Sequence, residues 1–89
     1  MSYQLELTEQ ADRDIELHKK SGNKPVLKKL IVLFKELTEQ PFEGTGKPEL
    51  LKHDLAGLWS RRINREHRLI YKVENQKIII VQSAFGHYV

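Results

Sequence analysis

The sequence predicts an α+β domain in the order β-α-α-β-β-β, with a two-helix layer packed on one face of a mainly antiparallel sheet. Three observations predict it. An apolar stripe at helical spacing occupies residues 27–37. A loop rich in proline and glycine, PFEGTGKPE (41–49), then separates a helical half from a strand half. The remainder, from Leu58 onward, reads as three strand-length tracts joined by short turns. Eighty-nine residues suffice for one core and not two, so a single domain over residues 1–89 is expected.

Each element has a local cause. Tyr3, Leu5 and Leu7 alternate with Gln4 and Glu6, the period of a half-buried strand. Thr8 can cap a following helix whose early acids favour its positive end, and Ser21-Gly22 stops that helix after about Lys20. Asn23 is a second cap, with Pro25 tolerated in a first helical turn. Leu27, Leu30, Ile31, Phe34 and Leu37 form the stripe, opposite Lys28, Lys29, Lys35 and Glu39, and are read as core. This helix stops before Pro41. The strand tracts run Leu58 to Asn64, His67 to Glu74 and Lys77 to Phe85, with Asn75-Gln76 as the second turn.

Strand parity adds an expectation about function. Trp59 and Ile63 must share a face with Leu69, Tyr71 and Val73 if the first hairpin is to bury them. That needs an odd-length turn and sets Arg62 and Arg68 together on the opposite face. Like charges side by side on a sheet repel, and a phosphate between them removes the conflict. Arg61 falls on the nominally buried face, where the alternation gives it no role.

Composition narrows the function classes. At 39% hydrophobic and 30% charged, the chain is too apolar for disorder and too polar for a membrane protein. No apolar run, Ile78 to Val81 included, is long enough to span a bilayer, and MSYQLELTEQ lacks the order of a secretory signal. With no cysteine, disulfides and thiolate chemistry are excluded, and a reduced cytoplasmic setting fits. The net charge of +3 is unevenly spread. Residues 1–18 hold five acids and one base, whereas 47–72 hold seven bases and three acids. From charge alone, a solvated surface with balancing ion pairs is preferred over a phosphate-binding face. Gly44-Thr45-Gly46-Lys47 lacks the GxxxxGK[ST] spacing and is no nucleotide loop. His18, His53 and His67 have no regular metal-ligand spacing.

Metal-free RNA cleavage needs a base for the 2′-hydroxyl, an acid for the leaving 5′-oxygen and a cation for the charge on phosphorus. Glu49, at the end of the Gly/Pro loop, is the candidate base. Arg68 is the candidate clamp, its planar guanidinium matching two phosphate oxygens. His87 is the candidate acid, with an ordinary pKa of roughly 6.5, and Tyr88 can stack on a base or hold the phosphate. Taken singly, each also reads as an ordinary loop, surface or chain-end residue.

The segments GKPE (46–49), LKHDL (51–55), WSRRI (59–63) and EHRLIY (66–71), with the terminal His87-Tyr88 pair, change that weighting. In order and spacing they closely resemble the YoeB/Txe toxins, a branch of the RelE/ParE superfamily. The resemblance covers the C-terminal half, whereas the first forty residues match only in element order. It implies a RelE-like fold and a ribosome-dependent endonuclease that cuts mRNA in the ribosomal A site and so inhibits translation. It also implies a hydrolase without cofactor or metal, a cytoplasmic location, a YefM/Phd-like antitoxin whose C-terminal segment wraps the toxin, and a homodimer. By motif, Glu49 is the general base, Arg68 the phosphate clamp, His87 the general acid and Tyr88 a phosphate- or base-contacting group. Lys52, Arg61 and Arg62 support the RNA backbone. Family members commonly end on the tyrosine. Here Val89 follows it, moving the terminal carboxylate on by one, and Gly86 precedes the pair.

Two other functions fit parts of the sequence. A ParE-type module that poisons DNA gyrase by protein contacts has no need of an acid-base pair, which weighs against it. A non-catalytic RNA- or antitoxin-binding relative could retain the same four side chains.

Overall fold

The computed structural model describes residues 3–52 and 56–83. The chain forms β1 (Gln4–Leu7), α1 (Glu9–Lys20), α2 (Lys24–Leu37), β2 (Glu49–Leu50), β3 (Leu58–Arg62), β4 (Arg68–Glu74) and β5 (Lys77–Gln82). The expected caps are in place. Thr8 Oγ1 accepts from the Ala11 N–H at 3.2 Å, and Asn23 Oδ1 accepts from the Val26 N–H at 3.4 Å. The Thr8 hydroxyl also reaches the Ile80 and Val81 carbonyls, tying the start of α1 to β5. Asn75 turns the last hairpin with a φ of +55°, the left-handed geometry expected of it.

The sheet order is β1-β5-β4-β3-β2, antiparallel except where β1 runs parallel to β5. Two helices on a five-stranded, mostly antiparallel sheet make the α+β architecture that the sequence predicts. One strand is additional. Residues 49–50, expected at the end of a loop, pair with β3 through Glu49 opposite Ser60 and Leu50 opposite Trp59. The hairpin register agrees with parity: Trp59 faces Tyr71, Arg61 faces Leu69, and Arg62 faces Arg68.

The core lies between the helices and the inner sheet face. Ala11, Val26, Leu30, Leu33 and Leu37 pack with Ile63, Leu69, Tyr71, Ile78 and Ile80. The buried stripe of α2 is therefore rotated from the expected one. Val26 and Leu33 take places assigned to Leu27 and Ile31, and Ile31 is 67% exposed. Apolar residues occupy most of this helix, so the sequence pattern admits more than one facing. Among the described residues, no helix is long and apolar enough to cross a membrane.

Candidate nucleic-acid interface

Alternation along the strands divides the candidate residues between two sheet faces. Trp59, Arg61, Leu69 and Tyr71 point to the helices; Ser60, Arg62, Arg68 and Ile70 point away from them. Cross-strand partners share a face, so the pairings Glu49–Ser60, Ser60–Ile70 and Ile70–Gln82 set one row across four strands on the outer face. The Arg62–Arg68 pair lies two residues farther along β3 and β4. Glu49 is consequently diagonal to Arg62, a separation of about 7–8 Å in an ordinary sheet. Three residues expected to act on RNA thus share one surface: an acceptor, and two cations opposite each other.

Exposure differs along this surface. Glu49 and Arg62 are exposed and Arg68 is half-buried, whereas Ser60 and Ile70 between them are 2% and 1% exposed. Among the described residues, neither Arg62 nor Arg68 has an ion-pair partner. Two adjacent guanidiniums without a counter-charge make a surface suited to a planar, bidentate anion such as phosphate. Lys52 is exposed just past β2, following the Leu51 N–H bond to the Leu58 carbonyl at 2.9 Å. His87 and Tyr88 lie outside the described residues.

Gly46 fixes the approach of β2 to this surface. Its φ is +85°, and a Cβ added there would lie 2.7 Å from the Arg62 carbonyl oxygen. The bare backbone lets the Gly46 carbonyl accept from the Arg62 N–H at 2.8 Å. The chain then enters β2 in register with Arg62.

Arg61 corrects one expectation. Placed on the RNA backbone by motif, it is fully buried on the helix side, and its guanidinium is used within the protein. Nε donates to the Tyr71 hydroxyl at 3.2 Å, and Nη1 donates to Glu36 Oε1 at 3.1 Å and to the Thr45 carbonyl at 3.3 Å. Nη2 donates to the carbonyls of Gln40 and Glu43. The Tyr71 hydroxyl donates to the Pro41 carbonyl at 2.7 Å, and burial raises its pKa against the opposing effect of Arg61. Glu36 also accepts from the Thr45 hydroxyl and N–H. The hydroxyl bond is the largest of the contacts that hold the Glu36 carboxyl below its ordinary range. One cation on β3 thereby ties down the loop that leads to Glu49.

A second polar cluster was not singled out from the sequence. Ala11, Asp14 and His18 lie on the buried side of α1 and grip Ser83, the last described residue of the C-terminal half. The Ser83 N–H donates to Asp14 Oδ2 at 2.9 Å, and its hydroxyl donates to the Ala11 carbonyl at 2.9 Å. His18 Nε2 lies 2.9 Å from the Ser83 carbonyl, which can only accept, so this nitrogen carries the proton. His67 meets the edge of the His18 ring at 4.7 Å. Burial, and then the charge of His18, hold the His67 imidazole below its ordinary pKa. The available signal was two polar residues, Asp14 and His18, at i and i+4 on the face that includes Ala11.

The family model for the YoeB-like toxin of bacterial type II toxin-antitoxin systems matches residues 7–88. The chain belongs to this family. It is 46% identical to Toxin YoeB of Escherichia coli strain K12 over 72 residues, spanning 81% of this chain and 84% of that one. A YoeB dimer from Staphylococcus aureus superposes with a TM-score of 0.85 at 37% identity, covering 99% of this chain and 100% of the other. A YoeB-YefM complex from the same organism gives 0.84 at 36% identity, covering 98% and 100%. Like these YoeB proteins, the chain sets its two helices against one side of the sheet, leaving the face with Glu49, Arg62 and Arg68 on the other.

Proposed function

We propose that this YoeB-family toxin is a ribosome-dependent endoribonuclease that cleaves mRNA in the ribosomal A site by attack of the RNA's own 2′-hydroxyl, without a catalytic metal. The observation that carries this reading is the strand register, which sets Glu49, Arg62 and Arg68 on one sheet face. Glu49 takes the 2′-hydroxyl proton as general base. Arg68 bridges the scissile phosphate and stabilises the charge that develops on it. Arg62 and Lys52 hold the flanking backbone. His87 protonates the leaving 5′-oxygen, and Tyr88 contacts the phosphate or stacks on a base. The products are a 2′,3′-cyclic phosphate and a 5′-hydroxyl. Translation stops because the message is cut, and the site of action is the cytoplasm.

The same face is the target of restraint. An acidic, flexible segment of a YefM-like antitoxin covers Lys47 to Lys72 and the C-terminal tail, which excludes RNA. Support comes from the basic excess of this stretch and from the YoeB-YefM complex of the Staphylococcus aureus relative. A homodimer is proposed on the corresponding ground of the relative's dimer.

The deciding experiment programs ribosomes with an mRNA carrying a single 2′-deoxy nucleotide at the scissile position. Cleavage should disappear while toxin binding to the ribosome is retained. Replacing His87 or Glu49 by alanine should lower the single-turnover rate by about 10²–10⁴-fold. A product with a 3′-hydroxyl and a 5′-phosphate would refute the chemistry, since it requires attack by water.

A further inference from the structure

Ser60 lies at the centre of the outer-face row, opposite Glu49 on one side and Ile70 on the other. It is 2% exposed, and among the described residues its Oγ has no hydrogen-bond partner. A buried hydroxyl without a partner is uncommon, because it has given up water and received nothing in return. Packing alone does not account for a serine here, since alanine would fill nearly the same volume without a desolvated polar atom.

The register indicates which group can receive its proton. Its outer-face neighbours are Leu58 and Arg62 along β3, Glu49 across on β2 and Ile70 across on β4. Leu58 and Ile70 are apolar, and Arg62 has donors only. Glu49 alone of these four carries a side-chain acceptor. Directly opposed residues stand about 4.5–5.5 Å apart at Cβ, a gap that a hydroxyl rotor and a glutamate side chain can close. In the free protein the Glu49 carboxylate is exposed and its charge is solvated by water. A bound polyanion displaces that water, and a neighbouring donor then becomes the carboxylate's replacement. Catalytic hydrogen bonds are often incomplete in a free enzyme and close only in the substrate complex.

We propose that Ser60 is a positioning residue, whose hydroxyl donates to the Glu49 carboxylate once RNA covers the face and holds it toward the 2′-hydroxyl. The proposal rests on Glu49 being the base. It assigns the unpaired hydroxyl to a bond made in the substrate complex and absent at rest.

The test measures kcat and KM on mRNA-programmed ribosomes, together with thermal melting, for wild type, Ser60→Ala, Glu49→Gln and the double variant. A hydrogen bond to a charged group corresponds to roughly a 10–100-fold effect, so Ser60→Ala should lower kcat by that factor with KM unchanged. Its melting temperature should stay level or rise, because no bond of the free protein is lost. In the Glu49→Gln background the same change should have little further effect, since the two residues act as one unit. Ser60→Ala with wild-type kcat would overturn the proposal, as would a loss that multiplies with that of Glu49→Gln or that tracks a fall in stability. If Glu49→Gln itself cleaves normally, the assignment of the base fails. If Glu49→Gln is impaired and Ser60→Ala is not, only the role of Ser60 fails.

Discussion

Replacing Arg61 by methionine separates a structural arginine from an RNA-binding one. Methionine keeps much of the aliphatic length and removes the guanidinium, whose five bonds join β3 to Tyr71, Glu36 and the carbonyls of Gln40, Glu43 and Thr45. Removing one member of a buried ion pair costs about 3–5 kcal/mol. The lower end applies here, for two reasons. Glu36 keeps its two bonds from Thr45, and its side chain is 30% exposed, so water reaches the carboxylate that Arg61 leaves. A loss of about 3 kcal/mol is a large part of the roughly 5–15 kcal/mol that stabilises a domain. At about 4–8 °C per kcal/mol for a chain of this size, the melting temperature should fall by about 12–24 °C. Calorimetry or urea unfolding measures it, with Arg62→Ala as the companion. Arg62 is exposed and outside this network, so that change should alter stability by less than about 0.5 kcal/mol while weakening RNA cleavage. If Arg61→Met melts within about 4 °C of wild type yet loses RNA activity, the loop-pinning role is refuted and Arg61 acts on RNA after all.

Other outcomes follow from the same geometry. Gly46→Ala should destabilise the protein by more than the about 1–2 kcal/mol of left-handed backbone strain, because its Cβ would also press on the Arg62 carbonyl. Gly57→Ala, with a φ of +94° and no atom of the described residues within 4 Å of an added Cβ, should show the strain alone, and equal urea midpoints for the two variants would contradict this. Stability should also fall in two steps as pH drops. His67 is depressed in the folded state, so the unfolded chain binds more protons; the stabilisation is complete above about 6.5 and is lost as pH falls through the folded value. Glu36 is depressed as well, and its contribution is present above about 4.3 and lost as pH falls through its own folded value. His67→Gln should abolish the first step in a urea-midpoint profile and leave the second, so an unchanged first step would assign it elsewhere.

Local chemistry was enough for much of the scaffold and for part of the site. Thr8 and Asn23 cap helices because their side chains reach N–H groups three residues on, and Asn75 turns a hairpin because its backbone tolerates positive φ. Period-two alternation in β3 and β4 put Arg62 and Arg68 on one face before any contact was known, since burying Trp59 with Tyr71 leaves no other parity. What the sequence could not determine depends on partners far along the chain. A two-residue strand has no measurable period, so β2 becomes visible only when β3 lies beside it, and with it the place of Glu49 opposite Ser60. The facing of α2 was ambiguous because so much of it is apolar, and packing on the sheet chose Leu33 over Ile31. Arg61 and Arg62 are adjacent and chemically identical, yet one pins a loop and the other faces solvent. Successive side chains of a strand point to opposite faces, and only the assembled fold sets Glu36 and the carbonyls of residues 40–45 beneath the first. Ser83 likewise meets Asp14 across 69 residues of chain, a contact that no local pattern encodes.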